Sequence, residues 1–201
     1  MSKSRLRLAL TAAFTAVFIG YFTVWLPGPA AGLRFVGFEI GEWIKFLGVG
    51  FERNWFYAPP ITLGLMLTVW TLTWGNGRFQ NWIMRGLAVT VSLLAFPAIE
   101  AIQYEAGSEW QLRLALVGLV FVTALLTGWL ERLTLPGWLP WLLLSLLGLV
   151  GAIGPTRLYL AVRPAFSAVL GLPVGIGLGV WLNGLGHLAV TTVSLFRLKQ
   201  K

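Results

Sequence analysis

Gly171-Leu-Pro-Val-Gly-Ile-Gly-Leu-Gly-Val-Trp-Leu-Asn-Gly-Leu-Gly-His187 lies inside the last apolar run of the chain, residues 165–196. On a helix, Gly171, Gly175, Gly179, Asn183, His187 and Thr191 follow one another every fourth residue, so small residues give way to the chain's single histidine. The run is too long for one perpendicular crossing of a bilayer, and Pro173 is the natural point to divide it. Its surroundings are as apolar as it is. Of 201 residues, 57% are hydrophobic and 11% charged, against about 25% charged in soluble domains. A water-soluble core cannot hide that much apolar surface. A bilayer core about 30 Å thick, which asks for about 20 apolar residues per helix, can receive it. The expected fold is therefore all-α, a polytopic integral membrane helix bundle. It forms a single membrane domain over 1–201, with room for six transmembrane helices.

Composition removes whole classes of chemistry. There is no cysteine and no aspartate, and all seven acids are glutamates. Disulfides, thiolate metal sites and aspartate-based triads are excluded. One histidine is too few for a transition-metal or bis-histidine haem site, so no metal and no cofactor are expected. Phosphate-loop, Gly-x-Ser-x-Gly and His-Glu-x-x-His motifs are absent.

Working outward, the predicted spans are about 8–26, 57–74, 86–104, 114–130, 140–154 and 173–196. The first is longer than a leader-peptide core and is read as a retained helix. Pro59-Pro60 suit a helix first turn, Pro97 suggests a kink, and Gly154-Pro155 reads as the stop of the fifth span, followed by a loop to Pro164. Residues 31–54 differ. Arg34, Glu39, Glu42, Lys45, Glu52 and Arg53 share one arc at 100° per residue, opposite Ile40, Trp43, Ile44 and Leu47. Inserting a charge at a helix centre costs about 2.5–3.5 kcal/mol. The segment therefore reads as an amphipathic interfacial helix that lies on the surface or caps the bundle.

Charge then orients the chain. With six crossings and the N-terminus inside, the inner side carries Lys3, Arg5, Arg7, Arg78, Arg85, Arg132, Arg197, Lys199 and Lys201 against Glu131 alone. The outer side balances, so one face holds the whole net charge of +8. Positive residues on the cytoplasmic side explain this without nucleic acid. The expectation is a multi-pass protein of the cell (plasma or inner) membrane with N- and C-termini cytoplasmic.

Two groups of residues stand out. Ser145, Gly148, Gly151 and Gly154 on span five, with Gly171, Gly175 and Gly179 on span six, suit close helix packing in lipid. Glu100, Gln103, Arg113, Arg157, Arg163, Asn183 and His187 form the candidate polar cluster, since ionisable groups within a membrane point to function. Glu39 and Glu42 have carboxylate-site spacing, but Lys45 makes a salt link the better reading. Glu100-x-x-Gln103 and Asn183-Gly-x-Gly186 resemble short stretches of the VanZ-like membrane family. The arginine and aspartate of that pattern are missing between them, and the resemblance assigns no function.

The preferred reading is a non-catalytic subunit or scaffold of a membrane assembly, meeting membrane lipid and either a second copy of itself or a membrane-protein partner. A small oligomeric transporter or channel using Glu100, Asn183 and His187 ranks second. An enzyme acting on a lipid-linked substrate at the outer leaflet ranks third, with Glu100 as acid or base and Arg157 and Arg163 holding an anionic head group.

Overall fold

A computed structural model describes residues 2–74, 79–130 and 135–200. Ser2 caps the first helix, accepting from the Arg5 N–H, and α1 runs Lys3–Phe22 until Thr23 turns extended. Strand β1 (Val24–Leu26) pairs antiparallel with β2 (Phe35–Val36). Then come α2 (Gly37–Trp43) and two 3-10 segments, Ile44–Leu47 and Phe51–Tyr57. The second runs straight into α3 (Ala58–Thr71), whose first turn takes Pro59 and Pro60 without losing a helical hydrogen bond. The remaining helices are α4 (Phe79–Ser92), α5 (Ile99–Tyr104), α6 (Gly107–Leu130), α7 (Leu139–Leu170) and α8 (Leu178–Leu198).

Among the described residues, four helices, α1, α6, α7 and α8, are long and apolar enough to cross a membrane. Helices α3 and α4 have 14 residues each, about 21 Å at 1.5 Å per residue. The bundle inverts the soluble pattern. Asn183, His187, Thr68, Asn81 and Ser92 are fully buried, while Phe79, Ile153, Leu185 and Phe121 face outward. This distribution is compatible with a membrane protein.

Helix α3 is buried along almost its whole length, packed by α1, α4, α6 and α7. Helix α8 lies between α1 and α7, and small residues let it approach both. A Cβ on Gly20 would come 2.6 Å from the Asn183 N, and one on Gly186 2.9 Å from the Ala13 carbonyl. On the other side, a Cβ on Gly148 would meet the His187 carbonyl at 2.8 Å, and one on Gly151 would overlap the His187 ring. Without a hydrophobic driving force between helices in lipid, such backbone approach is the main source of association.

The two ends of the bundle differ chemically. At one, arginines lie over tryptophan rings: Arg7 over Trp74, Arg197 over Trp141 and Arg85 over Trp82, at 5.6, 5.5 and 5.0 Å. The other is closed by the chain between α1 and α3. There Trp25 is fully buried against Phe56 and Tyr159, and its indole N–H donates to the Gly20 carbonyl at 2.8 Å.

Several expected boundaries differ from these elements. Residues 31–54 form no single amphipathic helix. Glycines interrupt them, with Gly48 at φ +75°, a left-handed conformation that stops the helix there. Of their charges, Arg53 is buried and Glu42 and Lys45 reach partners in the protein, while Arg34 and Glu52 are exposed. The predicted span 86–104 is α4 displaced toward the N-terminus plus a separate α5, because Phe96 before Pro97 is extended and Pro97 cannot donate. Helix α7 passes through Gly154-Pro155 and Pro164 without stopping, so Arg157 and Arg163 are helical and not in a loop. Residues 171–177 are not helical; Gly171 ends α7 at φ +66°, and the every-fourth series from Gly171 is not a helix face until α8 begins.

Candidate functional site

Three polar regions hold the residues with chemical potential. The first joins the cap to α6. The Arg53 side chain is 1% exposed, with Nη2 on Glu105 at 2.6 Å, Nε on Glu109 at 3.0 Å and Nη1 3.7 Å from Glu42. Lys45 reaches Glu105 at 3.2 Å and Glu42 at 3.8 Å. Glu42 also accepts from Arg113 at 3.2 Å and from the Tyr57 hydroxyl, while the Arg113 guanidinium stacks 4.0 Å over the Tyr57 ring. Three acids and three bases thus neutralise one another. Burial works against the charge of Arg53, but Glu105 and Glu42 outweigh it and hold the guanidinium more firmly protonated. For Glu105, burial is likewise outweighed, here by hydrogen bonds from Lys45 and Arg53, and its carboxyl sits below the usual range.

The second region is the polar core where α3, α7 and α8 meet. His187 is fully buried, its Nε2 2.9 Å from Thr62 Oγ1 and its Nδ1 2.9 Å from the Asn183 carbonyl. The Asn183 amide donates to the Gly151 carbonyl at 3.4 Å. Thr191 donates to the carbonyls of Ser145 and His187, at 3.3 and 3.1 Å. Both imidazole nitrogens are engaged by protein.

The third is a cleft of about 370 Å³ on the outer face of α7, lined by Glu52, Trp55, Ile153 and Arg157 among others. Arg157 also borders a groove of about 440 Å³ between α7 and α8, with Thr156, Trp181 and Leu185.

The structure therefore separates the residues that the sequence grouped. Glu100 and Gln103 are exposed on α5. Arg113 is buried in the ion cluster, Arg157 is exposed in the cleft, and Arg163 is half-buried further along α7. Asn183 and His187 lie in the polar core. Among the glycines, Gly148 and Gly151 face α8, Gly154 lies against the Trp55 ring and Gly179 against Trp25. Gly175 offers its carbonyl to the Tyr159 hydroxyl at 2.6 Å. Of the ion cluster only the local Glu42–Lys45 link was foreseen, since the pairs that join residues 42–53 to residues 105–113 lie 52 to 71 residues apart. The one available signal was the crowding of unlike charges at 39–53 and 105–113, which hold every acid of the chain except Glu100 and Glu131. Among the described residues, no group of three or more His, Cys, Asp or Glu is placed to hold a metal ion.

No family model, characterised protein or solved structure matches this chain. Its own geometry carries the functional argument.

Proposed function

We propose that the chain is a non-catalytic subunit or scaffold of a membrane assembly, a six-pass protein whose termini face the cytoplasm. The observation that carries this reading is the commitment of His187 and Asn183 to helix packing, through Thr62 and Gly151. A relay would need groups free to exchange protons along a path, yet Glu100 is exposed on α5 and His187 is enclosed. The ion cluster is likewise internally neutral, and an acid or base held by two partners is poorly disposed to attack a substrate. Six passes are supported by the course of α3 and α4 through the bundle, with the 3-10 segment Leu93–Ala95 lengthening α4. Orientation is supported by the basic residues at the arginine–tryptophan end.

The test has two arms. Protein reconstituted in liposomes is expected to leave proton and solute flux at the protein-free level, and crosslinking in native membranes is expected to capture a stoichiometric protein partner or a second copy. A flux abolished by His187→Gln, or a chain that stays monomeric and alone after crosslinking, overturns the reading.

A further inference from the structure

Arg157 occupies an unusual place. It lies 18 residues beyond Leu139, the start of α7, which at 1.5 Å per residue is about 27 Å, close to the roughly 30 Å of a bilayer core. Two tryptophans flank it at that height, Trp55 across one groove and Trp181 across the other, 43% and 54% exposed. Tryptophans of this kind settle at the head-group level of a membrane. Gly154 lets the Trp55 ring lie directly on α7, since a Cβ there would overlap the indole. The interface thus passes through Arg157, and apolar residues such as Leu185 and Leu188 line the groove toward the membrane centre.

The polar groups at this level are unspent. Every base and acid of the ion cluster is paired, but Arg157 and Glu52, which line the same cleft, have no ion-pair partner among the described residues. Thr156 Oγ1, on the groove side of the same turn, is buried without a hydrogen-bond partner. Arg157 therefore joins two openings, the cleft that it shares with Glu52 and the apolar groove whose wall holds the Thr156 hydroxyl.

From this arrangement we infer a binding site for a phospholipid whose head group carries a primary amine, of the phosphatidylethanolamine class. The Arg157 guanidinium and the Thr156 hydroxyl take the phosphate, for which a planar fork of N–H donors is well suited. Glu52 accepts from the ammonium, and an acyl chain lies along Leu185 and Leu188 between α7 and α8. A purely anionic head group would leave Glu52 opposed by like charge, and a trimethylated amine offers it no N–H. The inference rests on the chain being embedded in a membrane and not on the subunit reading, so the flux and crosslinking outcomes leave it untouched.

The experiment is lipid retention on the full chain, measured by native mass spectrometry after exchange into an equimolar mixture of phosphatidylethanolamine, phosphatidylcholine and phosphatidylglycerol. The wild type is expected to retain phosphatidylethanolamine preferentially. Arg157→Gln is expected to reduce retention roughly tenfold. Glu52→Gln is expected to erase the preference for the primary amine over phosphatidylcholine. Gly184→Leu, which fills the groove beside Thr156, gives an independent variant and is expected to lower retention with both charged residues intact. Equal or better retention of phosphatidylglycerol by the wild type, or unchanged retention in both Arg157→Gln and Gly184→Leu, overturns the proposal.

Discussion

Asn183 supplies to Gly151 the hydrogen bond that Pro155 withholds. In a regular helix the N–H of residue 155 would bond the carbonyl of residue 151, and proline has none. The Asn183 amide approaches that carbonyl from α8, at a long 3.4 Å. This is how α7 continues where the sequence reads as a stop, because a neighbouring helix can satisfy the group that a proline frees. Asn183→Ala is expected to cost about 1 kcal/mol of stability. Pro155→Ala in the same chain should recover most of it by restoring the backbone donor. Thermal unfolding of the two single variants and the double variant checks this, and additive losses would sink the coupling.

Close approach of α7 and α8 is expected to make Gly151 intolerant of a side chain, unlike a glycine on an outer face. A Cβ on Gly151 overlaps the His187 ring and comes 2.8 Å from Thr62 Oγ1, and overpacking of this kind costs about 1–3 kcal/mol. Gly118, on the outer face of α6, has nothing within 4 Å of the same atom. Gly118→Ala is expected to be neutral or stabilising by about 0.5–1 kcal/mol. Comparing melting temperatures of the two alanine variants tests the contact against the general effect of removing glycine.

Arg53 fastens the cap through two carboxylates at once, Glu105 at the end of α5 and Glu109 in the first turn of α6. Arg53→Ala leaves Glu105 and Glu109 without it, and since those acids are partly exposed the loss is expected at about 1–3 kcal/mol, less than for a fully buried pair. Arg53→Lys should recover only part, because a single ammonium cannot reproduce the fork. Limited proteolysis within residues 44–53, together with unfolding midpoints, reports whether the cap has loosened.

Acid should loosen the same joint. The Glu105 carboxyl is lowered in the folded chain, so its contribution is complete above its unfolded pKa of about 4.3 and is lost as pH falls through the lower folded value. Tryptophan fluorescence between pH 7 and pH 3 is expected to show a cap transition below about pH 4.3. Glu105→Gln should be less stable at neutral pH and less sensitive to acid. An unchanged acid transition in that variant would assign it to other carboxylates.

Much of the helical architecture was legible because it follows from composition. A chain this apolar can satisfy its backbone in a bilayer only by making helices. Asn183 and His187 were also legible as unusual, since a polar group within an apolar span is costly, whereas Arg113 reads as part of a polar connection. The failures share a cause. Reading residues 31–54 on a helical wheel assumes an unbroken helix, and Gly37, Gly41, Gly48 and Gly50 fall within that stretch. Placing a stop at Pro155 used a local rule, while its remedy, Asn183, lies 28 positions away. Pairing of Arg53 with Glu105 is likewise invisible locally, because it depends on how the cap folds over the start of α6.

The 32 residues of α7 form one continuous helix, about 48 Å long at 1.5 Å per residue. A bilayer core of about 30 Å takes up less than two thirds of it. The rest stands clear of the hydrocarbon, bearing Phe166 into the cap core formed with Trp25 and Phe35. In a bilayer a helix this much longer than the core must tilt or project. Because Phe166 packs into the cap core, any change in its tilt would be shared with the cap.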